Sequence, residues 1–130
     1  MRKLAALAVT GAIVGGSLMV TTTPAAAATC YGGAKQFVST GNIYIAPTGT
    51  TPPKTTSNCA DINIKPTGYG PMGRVKVCFY YSDNTLNYCQ ASWTSGYAGQ
   101  WNEVATDVKD GVKFRFLFED GGFKNFYWAA

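Results

Sequence analysis

Four cysteines, at positions 30, 59, 78 and 89, all follow an N-terminal segment built like a secretory leader, and their even number behind it restricts the fold more than any other feature. Arg2 and Lys3 supply a basic start, an apolar run occupies residues 4–20, and Thr21, Thr22, Thr23 and Pro24 lead into the four alanines at 25–28. This order provides charge for orientation, an apolar stretch for the translocon and small side chains for the peptidase. Cleavage is expected after Ala28, which divides the chain into a signal peptide, residues 1–28, and one secreted, extracellular domain, residues 29–130. Gly11, Gly15 and Gly16 interrupt the apolar run and Pro24 follows it, so neither a retained anchor nor membrane contact after cleavage is expected. Thr29 is bulkier than a lipoprotein peptidase tolerates before its cysteine, and lipidating Cys30 would leave three cysteines, an odd number.

In an oxidising compartment an even count reads as two disulfides. The cysteine spacings of 29, 19 and 11 contain no Cys-x-x-Cys pair and the chain has no histidine, so no metal site and no cofactor are expected. Three pairings are possible, and local geometry favours one. Residues 74–81 alternate like a strand, and residues 85–93 can return beside them after Ser82, Asp83 and Asn84. With Asp83 and Asn84 as turn residues, both tolerant of positive φ, Cys78 stands opposite Cys89. A strict two-residue turn would make that couple a widely separated hydrogen-bonded pair, so a longer loop or a bulge is the alternative. Cys30 then joins Cys59 by elimination. Loop entropy assigns about 3.6 kcal/mol to the longer bridge and about 2.8 kcal/mol to the hairpin bridge, a large share of a small domain's stability.

The remaining pattern is extended. Gln36, Phe37 and Val38, then Asn42, Ile43, Tyr44 and Ile45, suggest two small strands or one bent strand. Residues 46–58 have no hydrophobic period and hold three of the six prolines, which predicts an exposed loop long enough to be mobile. In residues 61–65 both isoleucines fall on one face, and in 74–81 Val75, Val77, Phe79 and Tyr81 oppose Arg74, Lys76, Cys78 and Tyr80. Residues 94–100 read as a Gly-rich connection, and extended structure resumes at 101–105. The clearest strand places Val112, Phe114, Phe116 and Phe118 on one face. Residues 123–128 form a last strand. No sustained helical period appears after residue 28, although 102–109 could hide one helical turn. The expected architecture is all-β, a small antiparallel sandwich or barrel of about six to eight strands with two disulfides.

Residues 29–130 carry nine Lys and Arg against seven Asp and Glu, with no run of three basic residues, so nucleic acid is not an expected partner. The absence of histidine and the pairing of the cysteines remove the Ser-His and Cys-His routes to catalysis. Paired carboxylates remain, with Glu103 and either Asp107 or Glu119 as an acid and base for a glycosidic bond, so an exported glycoside hydrolase is one alternative. Residues 67–73 lack the lysine and the following helix of a phosphate loop. Trp93, Tyr97, Trp101, Tyr127 and Trp128 lie near connections or the chain end, where flat rings either close the sandwich or stack on sugars and fill a partner's pocket. Lys54, Tyr69 and Met72 lie in loops that read as solvated connectors or as inhibitor-type contact segments. The primary expectation is a monomeric domain, not an enzyme, that binds an extracellular protein or polysaccharide; a structural, envelope-associated protein is a further alternative.

Residues 59–65 (Cys-Ala-Asp-Ile-Asn-Ile-Lys), 74–79 (Arg-Val-Lys-Val-Cys-Phe) and 104–116 resemble functionally unassigned small secreted β-rich proteins of actinobacteria. That resemblance implies export and a disulfide-bonded β domain. The two-disulfide α-amylase inhibitors of streptomycetes are similar in size. Their Trp-Arg-Tyr contact motif is absent here and their cysteine spacing differs, so amylase inhibition is not carried over.

Overall fold

The computed structural model describes residues 25–130; the leader expected over residues 1–28 lies outside them except for its last four positions. A short helix, α1 (Ala25–Gly32), includes the expected cleavage point. Its alanines have the highest helix propensity of any residue, which outweighs the lack of an amphipathic period. All other regular structure is extended: β1 (Lys35–Val38), β2 (Ile45–Ala46), β3 (Ile62–Pro66), β4 (Pro71–Tyr80), β5 (Leu86–Cys89), β6 (Thr94–Tyr97), β7 (Asn102–Ala105), β8 (Lys113–Phe118) and β9 (Asn125–Ala129). One antiparallel sheet has the order β1-β9-β3-β7; the second has the order β2-β8-β4-β5, with β6 also on β4. Neither sheet closes on itself, so the chain is a sandwich and not a barrel. Nine described strands exceed the expected six to eight because residues 94–100, read as a connection, contain β6.

The alternation of β8 and β4 decides what faces inward. Phe114, Phe116, Val75 and Val77 are fully buried, joined by Ile62, Ile64, Phe126 and Trp128 from the opposing sheet. Across the interface Phe114 meets Trp128 at 5.5 Å and Phe116 meets Phe126 at 5.5 Å, both edge to face. Such ring pairs add about 0.5–1.5 kcal/mol each to their area burial. Asn63, expected on a polar outer face, is buried: the Cys30–Cys59 bridge lies over it, and its amide donates to the Ala129 and Asp61 carbonyls.

Both disulfides are as expected, Cys30–Cys59 and Cys78–Cys89. The hairpin uses a three-residue loop with Asn84 at φ 71° and a bulge between Phe79 and Tyr80. Tyr81 N–H donates to the Thr85 carbonyl and Gln90 N–H to the Val77 carbonyl, so Cys78 and Cys89 occupy a non-hydrogen-bonded site, with Cα atoms 3.9 Å apart. Strand pairs at such sites bring their side chains closer together. Two disulfides suit an extracellular or otherwise oxidising environment. Among the described residues no helix is long and apolar enough to cross a membrane.

The segment at 46–58 departs from expectation. Pro52 and Thr55 are buried, and the backbone continues along the edge of β8: Phe114 N–H donates to the Pro53 carbonyl and Thr55 N–H to the Val112 carbonyl. Thr55 Oγ1 donates to the Lys109 carbonyl and accepts from Val112 N–H. Prolines lack an N–H but keep their carbonyls, so a Pro-rich stretch can still cover one edge of a strand. Residues 102–109 contain β7 rather than a helical turn.

Candidate functional site

The five aromatic residues singled out in the sequence separate into three environments. Trp128 is 7% exposed and packs edge-on to Phe114, so its ring belongs to the core. Trp101 and Tyr127 lie on the outer side of the β1-β9-β3-β7 sheet. There Tyr31, carried by α1 beside the Cys30–Cys59 bridge, stacks on Trp101 at 4.6 Å with 15° between planes, and the Lys65 ammonium stands 5.9 Å from the same ring. Tyr127 is 38% exposed and pairs across strands with Lys65 and Gln36. Tyr31 and Lys65 escaped the sequence reading: Tyr31 is only the third residue after the expected cleavage point, and nothing local marks a partner for it.

Trp93 and Tyr97 lie on the outer side of the other sheet. In β6, Thr94 and Gly96 turn inward, which leaves Ser95 and Tyr97 outward; Tyr97 is 57% exposed. Trp93, half-buried, continues that outward row and meets the Lys76 ammonium at 4.4 Å and the Arg74 guanidinium at 6.0 Å. Four residues of extended backbone put the Cα atoms of the two residues about 13 Å apart.

Two side chains hold this row in place. Where the chain leaves β5, Gln90 Oε1 accepts from Val77 N–H at 2.8 Å, and its Nε2 donates to the Val104 carbonyl at 3.0 Å. One amide thus replaces a ladder bond on β4 and links it to β7, fixing the corner that carries Trp93. Asn102 does the same for Tyr97. Its Oδ1 accepts from Tyr97 N–H at 3.1 Å, while Nδ2 lies within bonding reach of the Tyr97, Gln100 and Ile64 carbonyls. Gly96 permits this: a Cβ there would stand 2.0 Å from Asn102 Oδ1.

The rest of this outer face is cationic. Lys76, Arg115 and Lys113 alternate outward on β4 and β8 around the Cys78–Cys89 bridge, with Arg115 stacked 5.5 Å from Tyr80. Acids stand at its two ends. Glu119 forms a two-point ion pair with Arg74, whose hydrogen bonds hold the Glu119 carboxyl below the usual range. At the other end Asp83 lies near Lys113, its carboxyl lowered first by the Thr85 hydroxyl hydrogen bond.

The expected carboxylate pair is only partly assembled. Glu103 lies near Asp61 and Asp107, and desolvation followed by repulsion from Asp61 raises its pKa above the ordinary carboxylate value. Glu119 is on the other sheet, paired with Arg74. Among the described residues no acidic cluster suits a metal ion.

A separate cleft of about 260 Å³ opens at one end of the sandwich, over Met72, Phe118 and Phe126. Tyr69 and Phe123 line it and are 101% and 77% exposed. Lys124 in its wall donates to the Asp120 carbonyl, and burial pushes its pKa down. Lys54, by contrast, is exposed and pairs through its backbone with Lys113.

No family model matches the chain, and neither a curated protein nor a solved structure matches it.

Proposed function

We propose that the chain is a secreted, non-catalytic domain that binds an extracellular polysaccharide through the outer face carrying Trp93 and Tyr97. The observation that carries this reading is the outward pair of rings, Trp93 just before β6 and Tyr97 at its end, held from behind by Gln90 and Asn102 on an open sheet face. An open sheet face with two aromatic positions about 13 Å apart along the backbone suits an extended polymer better than a small molecule enclosed on all sides. Rigid rings bind at low entropic cost, because the side-chain-to-backbone bonds already hold the strand that presents them. Export is part of the proposal and is supported by the two disulfides and the leader-like N-terminal sequence.

Co-sedimentation with a panel of insoluble polysaccharides tests the reading. Retention by at least one of them, lost in Trp93→Ala and kept in Trp101→Ala, is the expected result; Trp101 is already covered by Tyr31. Retention unchanged by Trp93→Ala, or no retention on any polysaccharide, would overturn it.

A second reading has its own observation. The exposed Tyr69 and Phe123 beside a cleft of mixed polar and apolar lining suit a protein partner that inserts a side chain there. Inhibition of secreted proteases or amylases that disappears in Tyr69→Ala and Phe123→Ala would favour it over the polysaccharide.

A further inference from the structure

Two half-buried indoles on the outer faces of this protein have cations beside them. Lys76 stands 4.4 Å from the Trp93 centroid, with Arg74 farther off at 6.0 Å, and Lys65 stands beside Trp101. A neutral sugar that takes the lysine's place over Trp93 gives up a cation–π contact and gains no new partner for the ammonium. A sugar bearing a carboxylate behaves differently. Its ring stacks on the indole while the ammonium moves from the ring to the anion, making a charge-assisted hydrogen bond stronger than the contact it replaces.

The charges around Trp93 point the same way. Arg74 is committed to Glu119, and Lys113 donates to the Ser82 carbonyl and to Asn84 Oδ1, while Arg115 places one of its five N–H donors on the Gly49 carbonyl at 2.6 Å. Between those ends Lys76 and Arg115 flank Cys78 on neighbouring strands, and the outward residues between them carry no acid. In register terms the backbone positions of these two residues are about 8 Å apart, a diagonal of one strand spacing and two residues. They form a short positive track beside the indole that fits a polymer with repeated negative charge.

We infer that the ligand of this face is an acidic polysaccharide, with its sugar ring on Trp93 and its carboxylates on Lys76 and Arg115. This rests on the polysaccharide reading above and narrows it to one chemical class. A sugar ring is required as well as charge, because the track has an indole at its side.

Affinity electrophoresis at low salt with three probes tests the inference: polygalacturonate, its methyl-esterified form and polyglutamate. The folded state of each variant is checked by its thermal transition. Polygalacturonate should be held at least about tenfold more tightly than the methyl ester, and Lys76→Gln should remove about tenfold of that affinity, as loss of one charged hydrogen bond implies. The methyl ester should be held equally well by Lys76→Gln, and Lys76→Arg should restore polygalacturonate binding. Retention should vanish near 1 M salt, where the screening length is about 3 Å. Equal retention of the acid and its ester, both lost in Trp93→Ala, would overturn the acidic assignment and leave the polysaccharide reading standing. Polyglutamate held as tightly as polygalacturonate and indifferent to Trp93→Ala would overturn the sugar assignment. If polygalacturonate is not held while a neutral polysaccharide is, this inference fails alone; if no glycan is held, both fail.

Discussion

Replacing Phe116 by alanine removes a ring that is fully buried at the centre of β8, edge-on to Phe114 at 5.7 Å and to Phe126 of the opposing sheet at 5.5 Å. The cavity is walled by residues of both sheets, so neither can close it without moving the other. Deletions of this kind cost about 3–5 kcal/mol, against a total stability of about 5–15 kcal/mol for a domain. At about 4–8 °C per kcal/mol for a chain of this size, a 4 kcal/mol loss lowers the midpoint by about 20 °C. Leu117, the next residue, points outward opposite Lys76 and Ile45 and is half-buried. Leu117→Ala should therefore cost about 1 kcal/mol. Thermal unfolding followed by circular dichroism, with disulfides intact, gives both values. Equal losses for the two variants would refute the claim that the pleat of β8 sets one face against the other sheet.

Other perturbations separate the elements that hold the binding face. Gly96→Ala places a methyl against Asn102 Oδ1 and should cost about 2 kcal/mol in urea unfolding, close to Asn102→Ala, because both free the same backbone groups. Removing Cys30–Cys59 as a double alanine variant should lower stability by about 3.6 kcal/mol and removing Cys78–Cys89 by about 2.8 kcal/mol on the loop-entropy model, measured by chemical denaturation; the reverse order would contradict it. The Glu103 carboxyl is raised in the fold, so its contribution is favourable below the unfolded carboxylate pKa and is lost as pH rises through the folded value. Glu103→Gln should then raise the melting temperature by about 2 °C at neutral pH and leave it unchanged in acid, where both side chains are neutral.

Side-chain periodicity made the two inner faces legible. Alternation in residues 112–118 and 74–81 marks Phe114, Phe116, Val75 and Val77 as core, and the turn chemistry of Asp83 and Asn84 set the hairpin bridge. Features made by the backbone were not legible. The Pro-rich segment pairs along the β8 edge through the carbonyl of Pro53 and the N–H and carbonyl of Thr55, backbone groups that do not depend on the side chain except at proline, so no pattern of side chains signals it. The Gly-rich look of residues 94–100 concealed β6, in which Gly96 makes room for Asn102. Trp93 was visible as a candidate, but its neighbour was not: the hairpin register extended from Cys78 and Cys89 places Ala91 opposite Lys76, whereas two extra residues at the corner bring Trp93 there. Trp128 shows the opposite failure, since closeness to the chain end suggested the surface while pairing of β9 between β1 and β3 buries it.

Every role given to the outer face depends on a chain that leaves the cytosol and oxidises. Intact-mass and peptide mapping of protein from culture supernatant tests this directly. A product beginning close to Thr29, with Cys30 linked to Cys59 and Cys78 linked to Cys89, is the expected result. A retained N-terminal segment, free thiols or exchanged partners would contradict it.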